Sequence, residues 1–352
     1  MNEIHRPHNH PCAPEAGAAP AHPILAEATR GAMVESRHRA SVAVVDAGGK
    51  VVLSAGDIEA PVYARSAIKP LQALAMLESG AAEAFDLSDA EVAIACASHG
   101  AEPRHVETVA AWLARIGRGV DDLECGVHLP GNEAAMIALL KRGEDPSALH
   151  NNCSGKHTGF LTLARHLGVE TRGYIQYGHP VQQRVLGVLE GMTGLDLGAA
   201  PRGIDGCGIP VIGIPLSNMA LAMARLGDPT DQPEARARAC ARVRAAMAAE
   251  PFMVAGSGRF CTRAIVATKG RALVKTGAEG VFCGVIPEAG LGIALKVDDG
   301  AGRASEIIMA RLLRNFGALG ADGAATELLE QTLHNRAGTE VGHVRCPADC
   351  PF

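Results

Sequence analysis

The sequence predicts an α+β fold in which one antiparallel sheet is flanked by helices. A β-hairpin precedes the first helix, and a mostly helical part spans about residues 100–250. From about residue 263, short strands alternate with glycine-containing turns, as in an antiparallel meander. The hairpin and the meander can therefore form one sheet, with the central helices beside it.

In the first half of the chain, the hairpin joins strands 41–46 and 51–54 through the turn Ala47-Gly48-Gly49-Lys50. A helix follows from near Ser66 to Leu77, and the short apolar run 91–97 predicts a buried strand. Start signals and apolar spacing predict the remaining central elements. These are helices at 132–140, from 151–159 to about 167, at 179–194, 217–226 and 232–249, and a strand at 209–216.

The second half of the chain contains the meander and a last helix. Its predicted elements are strands 264–268, 272–276, 281–286 and 291–296, a helix at 304–319 and a closing strand at 341–344. We expect one catalytic domain over residues 23–345, between a His/Pro/Ala-rich disordered tail (1–22) and a short tail (346–352).

Composition excludes several classes of function. Hydrophobic residues make up 47% of the 352 residues and charged residues 20%, which suits a globular protein with a large core. A net charge of -5 and 3% aromatic residues favour neither nucleic acid nor a membrane surface as partner. No apolar run approaches the roughly 18 residues of a membrane span. Without a hydrophobic signal core, we expect a cytoplasmic location, with reduced cysteines.

The stretch Arg65-Ser66-Ala67-Ile68-Lys69-Pro70 is the first candidate for catalysis. Positions i and i+3 share a helix face, so a desolvated Lys69 amine could act as base for Ser66. The Ser-x-x-Lys spacing alone is weak evidence. A second motif, Lys275-Thr276-Gly277, strengthens it, because the two are paired in serine β-lactamases and penicillin-binding proteins.

Two further candidates have ordinary alternatives. Ser98 follows the apolar run 91–97 and suits either an active site or a helix N-cap. Lys275 suits either a site-facing amine or a solvent-exposed strand residue.

Candidate metal ligands lie in two separate loops. Cys153 and Cys207 could bind zinc, with His157 and Asp205 as further ligands, although the spacing matches no zinc motif. The alternatives are buried thiols, or a cysteine nucleophile assisted by His157. His5, His8, His10 and Cys12 could also bind metal, but a disordered tail is the favoured interpretation.

Five segments together resemble the rhizobial-type L-asparaginases, the thermolabile or class 3 members of the asparaginase II family. The similarity spans about residues 23–345, and the motifs occur in the family's order. The segments are Arg65–Pro70, Cys96–Glu102, Asn152–His157, Asp205–Gly208 and Lys275–Gly280.

The resemblance implies a serine β-lactamase-like or penicillin-binding-protein-like fold, a homodimer, and hydrolysis of L-asparagine to L-aspartate and ammonia. It implies two serine–lysine tandems, Ser66 with Lys69 and Ser98 with Lys275, and Ser66 is our preferred nucleophile. It assigns one Zn²⁺ to Cys153, Lys156 and Cys207. In this assignment, Lys156 takes the place that His157 has in the ligand set expected from the residues alone. The zinc is expected to assist substrate binding. The remaining substrate-binding residues are expected to be Arg65, Asp205, His157 and Cys261.

Two other functions remain open on sequence grounds. A serine acylase or β-lactamase-like enzyme acting on another amide would explain Ser66, Lys69 and Lys275 but not the cysteines. A non-catalytic zinc-binding module would explain the cysteines but leaves both serine–lysine pairs as coincidence.

Overall fold

The computed structural model describes residues 22–321 and 323–352. Eleven strands are found in this part of the chain, and every strand pair is antiparallel. The strands are β1 (Ile24–Arg30), β2 (Met33–Asp46), β3 (Val51–Ala55), β4 (Pro61–Tyr63), β5 (Arg202–Ile204), β6 (Pro210–Pro215), β7 (Leu273–Thr276), β8 (Val281–Ile286), β9 (Leu291–Val297), β10 (Glu330–His334) and β11 (Glu340–Arg345).

The main sheet has eight strands and combines both ends of the chain. Its order is β10-β11-β1-β2-β9-β8-β7, with β3 also paired to β2. The long strand β2 joins the two halves, because Ala40 to Asp46 pair with Val297 to Leu291 of β9. A small second sheet has the order β4-β6-β5. The predicted α+β class is therefore confirmed.

Thirteen α-helices are found among the described residues, along with one-turn 3-10 helices, one of them at Arg65–Ile68. The α-helices are α1 (Lys69–Glu78), α2 (Ala81–Ala84), α3 (Asp89–Ala95), α4 (Pro103–Arg115), α5 (Glu133–Lys141), α6 (Ser154–Leu167), α7 (Pro180–Thr193), α8 (Leu216–Gly227), α9 (Glu234–Ala249), α10 (Pro251–Ala255), α11 (Phe260–Ala267), α12 (Gly302–Asn315) and α13 (Gly323–Leu329). None of the described helices is long and apolar enough to cross a membrane.

The main sheet is covered by helices on both faces. Helix α8 packs on β2, β8 and β9, and it comes so close to β9 that a Cβ at Gly292 would lie 1.9 Å from the Ala220 carbonyl oxygen. The space above Gly284 of β8 is filled by Met309 of α12. Its neighbour Val285 pairs with Gly292 and therefore points to the α8 face. Two buried faces explain why β8 and β9 are almost continuously apolar.

Two predicted strands are wrong. Residues 91–97 form the end of α3, which begins with a reciprocal capping box between Ser88 and Glu91. Residues 264–268 lie in and just after α11, where Val266 is 58% exposed while Ala264 and Ile265 are buried. Both errors have one cause: a short apolar run fits a buried strand or a buried helix equally well.

The helices at 132–140, 151–167, 179–194, 217–226 and 232–249, the other meander strands and the closing strand are confirmed within a few residues. The hairpin is confirmed, but its first strand begins eight residues earlier than predicted. Strands β1, β4, β5 and β10 were not predicted. The predicted tail and its candidate ligands His5, His8, His10 and Cys12 lie outside the described residues, except for His22, whose Nδ1 is 2.6 Å from Asp298 Oδ1.

Candidate active site

Ser66 lies on the 3-10 turn that immediately precedes α1. Arg65, its neighbour, has φ +49°, a left-handed conformation that costs a non-glycine residue energy and is concentrated at functional sites. The Ser66 side chain is partly exposed, and its hydroxyl makes no hydrogen bond within residues 22–321 and 323–352. Ser66 is thus free to contact a ligand.

Lys69 and Lys275 converge on the same hydroxyl, that of Ser98. Lys69 Nζ is 3.1 Å and Lys275 Nζ 2.9 Å from Ser98 Oγ. Both lysine side chains are fully buried, and Ser98 is 7% exposed. The predicted pair of Ser98 with Lys275 is within hydrogen-bonding distance, whereas Lys69 bonds Ser98, Cys153 and the Ala97 carbonyl and makes no bond to Ser66.

Backbone hydrogen bonds hold the segment that carries Ser98. Ser98 N donates to Val254 O and Gly100 N to Ala255 O, both at 3.1 Å, which ties the segment to α10. On its other side, His99 N donates to Asn152 O. Ser98 is therefore not a helix N-cap, a role that Glu102 has for α4.

Lys275 is a buried amine of unusual acidity. Burial, and next the positive charge of Lys69, lower its pKa to about 7. An exposed strand position, the alternative for this residue, is therefore wrong. The strand end at Gly277 lies against the turn of Ser66, where a Cβ would be 3.1 Å from Ala67 N, so glycine permits the close approach.

A second buried cluster combines Cys153, Lys156 and Cys207. Cys153 is the N-cap of α6 and Lys156 lies in its first turn, while Cys207 lies in the turn before β6. Lys156 Nζ is 3.0 Å from Cys207 Sγ, and the two thiols are close enough for each to shift the pKa of the other. Contact with Cys207 holds the pKa of the Cys153 thiol well below its ordinary value. One thiolate and one ammonium are thus stabilised together.

Asp205 connects this cluster to the turn of Ser66. Its carboxylate accepts hydrogen bonds from Arg65 Nε (2.6 Å) and from the Cys207 thiol (3.4 Å). Burial alone would raise the pKa of Asp205, but the charges of Lys156 and Arg65 outweigh it and lower the pKa. Asp205 is therefore an anion at neutral pH.

The donors of this cluster fit a soft cation. Thiolate and amine ligands suit zinc, which usually takes four ligands. Within the described residues, no three His, Cys, Asp or Glu side chains form a group that could hold a metal ion. A three-donor set exists here only because the third donor is the nitrogen of Lys156.

Two other predicted substrate-binding residues lie deeper. His157 is fully buried, with Nδ1 2.7 Å from the Tyr174 hydroxyl, and its Nε2 has no hydrogen-bond partner among the described residues. Cys261 accepts a hydrogen bond from Thr276 N at 3.3 Å, which places it beside Lys275.

The sequence reading gave no role to Asn151, which positions Cys153. Its Oδ1 accepts the Cys153 amide (2.9 Å), and its Nδ2 donates to Cys125 O (2.8 Å). An asparagine two residues before a helix N-cap is a recognisable turn signal, so the pattern was available.

A cavity opens beside the two clusters. Its lining combines the polar side chains of Arg65, Lys156 and Asp205 with apolar side chains such as Val185, Leu189 and Ile209. Neither serine lines this cavity.

Serine hydroxyl and lysine amine groups in buried contact are the groups that hydrolysis through a serine nucleophile uses. The model of the family described as L-asparaginase II matches residues 26–346, which is nearly the whole chain. The chain therefore belongs to the L-asparaginase II family. A comparison with curated proteins gave no match.

Several solved structures are similar to this chain. A beta-lactamase from Mycobacterium bovis shares 16% identity at a TM-score of 0.41, covering 79% of this chain and 94% of that one. A D-alanine carboxypeptidase from Burkholderia cenocepacia shares 13% at a TM-score of 0.39, covering 78% and 93%. Because these TM-scores are below 0.5, the fold class rests on the sheet order described above.

Proposed function

We propose that the protein is an L-asparaginase that hydrolyses the side-chain amide of L-asparagine to L-aspartate and ammonia. Membership of the L-asparaginase II family supports an amide as the substrate. One geometric observation supports proton transfer in the site: Ser98 Oγ lies 2.9–3.1 Å from two buried lysine amines. Such an arrangement can move a proton without water. A hydrolase that cleaves an unactivated amide needs such a path.

In this proposal, Ser66 is the nucleophile. Its hydroxyl is partly exposed and has no partner in the described chain, whereas the Ser98 hydroxyl is occupied by two amines. Ser66 Oγ attacks the amide carbon and passes its proton to Lys69, three residues away. Collapse of the tetrahedral intermediate releases ammonia and leaves an aspartyl ester on Ser66, which water then cleaves.

Ser98 acts as the relay that keeps Lys69 available as a base. Lys275, with a pKa of about 7, is largely neutral above that pH and can accept a proton from the Ser98 hydroxyl. Ser98 in turn takes a proton from Lys69. The net result is a neutral Lys69 and a protonated Lys275, which returns the proton when ammonia leaves.

Charged groups of the substrate require charged partners. The free amino acid carries an ammonium and a carboxylate, and Asp205 and Arg65 offer the opposite charges next to Ser66. We propose these two residues for orientation of the substrate. His157 and Cys261 remain proposed substrate-binding residues. His157 contacts Tyr174, and Cys261 lies beside Lys275.

Cys153, Lys156 and Cys207 would hold one Zn²⁺, consistent with their soft donors and mutual contacts. Bound there, zinc would supply positive charge that helps to position the substrate. Lys156 must lose its proton to bind it, which couples zinc affinity to pH. We further propose a homodimer in the cytoplasm.

The test is ammonia release from purified protein with L-asparagine and, separately, with L-glutamine, while opening of the β-lactam ring of a penicillin is followed by absorbance in a third sample. Rapid release from asparagine, with much slower release from glutamine, is the expected result. A site that rejects one extra methylene does so by about 1–3 kcal/mol, so glutamine is expected to be a poor substrate. Hydrolysis of the penicillin, or a stable acyl adduct without asparagine turnover, would instead favour the acylase function.

A further inference from the structure

The segment 346–352 is anchored to α12 and carries two cysteines. The family match ends at Cys346, so the rest of the segment lies beyond it. The Phe352 side chain is 7% exposed, and its carbonyl oxygen accepts a hydrogen bond from Arg311 Nε at 2.7 Å. The tail is thus held at both ends, by β11 and by α12.

A turn brings the two cysteines of this segment together. Cys350 N donates to Pro347 O at 3.1 Å, which closes the chain back towards Cys346 at the end of β11. The two thiols are close enough for each to shift the pKa of the other, and both residues are partly exposed. The other seven described cysteines are buried, so this pair is distinguished by its accessibility.

The environment makes Cys350 the more reactive thiol. Contact with the Cys346 thiol, aided by the Phe352 backbone and the Arg311 charge, lowers the pKa of Cys350 to about 7 despite partial burial. The same contact raises the pKa of Cys346. A thiol of pKa near ambient pH is the best attacking group in disulfide exchange.

We propose that Cys346 and Cys350 are a redox-active dithiol that closes to an intramolecular disulfide by exchange with a small disulfide such as glutathione disulfide. The Cys350 thiolate attacks one sulfur of the oxidant, and one glutathione thiolate leaves. The Cys346 thiolate then attacks Cys350 Sγ in the mixed disulfide, and the second glutathione leaves. Two protein thiols are oxidised and one small disulfide is reduced to two thiols, so electrons balance.

The bond would close one covalent loop within the segment, next to the residue that Arg311 of α12 holds. No residue of the candidate active site lies in this segment. The proposal therefore stands apart from the proposed asparaginase function, and its failure would leave that function untouched.

The test is incubation of the folded protein with glutathione disulfide at pH 7.5, followed by intact-mass measurement and peptide mapping after alkylation. The expected product has lost about 2 Da, with Cys346 linked to Cys350 and no glutathione retained. A stable glutathione adduct in the wild-type protein, linkage of another cysteine, or no reaction under conditions that oxidise a free dithiol peptide would overturn the proposal.

Two variants separate the steps. Cys346→Ser should react at Cys350 and stop at the mixed disulfide, because the resolving thiol is gone. Cys350→Ser should react about tenfold more slowly, since burial still raises the pKa of the remaining Cys346 thiol. Both substitutions are at partly exposed positions, and an unchanged thermal midpoint checks folding. Equal rates in the two variants would contradict the assigned order of attack.

Discussion

Lys275 and Lys156 are the same side chain in two buried sites, yet their pKa values shift in opposite directions. Lys275 is 0% and Lys156 3% exposed. Around Lys275, burial and the charge of Lys69 lower the pKa to about 7. Around Lys156, burial also acts to lower the pKa, but Cys207, Cys153 and Asp205 outweigh it and raise the pKa.

Neighbouring charges, more than burial, therefore decide the protonation state and the chemistry of a buried lysine. Among the described residues, Lys275 has no anionic partner in direct contact, so it can hold a neutral amine ready to accept a proton. Lys156 is ion-paired and gives up its proton only when a cation replaces it. The first site suits proton transfer, and the second suits a metal ion.

Substitution of the nucleophile Ser66 should lower kcat more than any other change proposed here. Ser66→Ala should lower kcat by at least about 10⁴-fold, because the nucleophile is removed, while Ser98→Ala should lower it by about 10²-fold, because only the relay is interrupted. Steady-state ammonia release measures both. Ser54→Ala, on the exposed face of β3, is the matched control.

A reversed order, with Ser98→Ala the more damaging variant, would contradict Ser66 as nucleophile and assign that role to Ser98. Thermal midpoints close to wild type are needed for either reading, since Ser98 is almost fully buried.

The second effect separates the two lysines directly. Lys275→Met should lower kcat by about 10³-fold with zinc content unchanged, because a general base typically contributes 10²–10⁴-fold. Lys156→Met should lower zinc content, with a smaller loss of kcat. Metal analysis and kinetics on the same preparations measure both quantities.

Lys296→Met on strand β9, two strands away from β7, is the control for removing a partly buried lysine from this sheet. If Lys275→Met lost zinc while Lys156→Met retained it, the division between the two sites would be wrong.

The sequence motifs predicted one long-range contact, whereas the apolar pattern failed in places to predict local structure. The Ser98–Lys275 pair spans 177 positions and yet lies within hydrogen-bonding distance. It was found because ordered motifs carry long-range information that periodicity lacks. The strand predicted at 91–97 was wrong, although Ser88 and Glu91 form a capping signal in the sequence. A short apolar run fits a buried strand and a buried helix equally well.

The partner of Lys69 could not have been read from spacing. The i, i+3 rule assumes one continuous helix, but Ser66 lies on a 3-10 turn and Lys69 is the first residue of α1. Lys69 Nζ instead contacts Ser98 and Cys153. Ser98 follows α3 and Cys153 precedes α6, and tertiary packing brings both to Lys69. The pairing of Lys69 with Ser66 stays a prediction, and it would require the hydrogen bond to form when substrate binds, as catalytic hydrogen bonds often do.

The third effect is the pH dependence set by Lys275. If neutral Lys275 accepts the relayed proton, kcat should fall about tenfold per pH unit below about pH 7 and level off above it. The sign follows from the base: raising the pH through its pKa creates the active, neutral form. A pH series of kcat at saturating asparagine measures it. An inflection near pH 10, the range of an ordinary lysine, would rule out a desolvated Lys275 as the base.

The smallest effect on turnover is expected at the cysteine cluster. Cys207→Ser should weaken zinc binding by at least about 100-fold, because a thiolate ligand is lost, and should raise KM while changing kcat less than about tenfold. Zinc content after dialysis gives a readout independent of activity. Cys240→Ser, a buried cysteine of α9 outside the cluster, is the control and should retain zinc.

If Cys207→Ser bound zinc as tightly as wild type, the cluster would not be the metal site. If zinc removal abolished kcat at saturating asparagine, the metal would take part in the chemical step, and the separation between a proton-transfer lysine and a metal-site lysine would no longer hold.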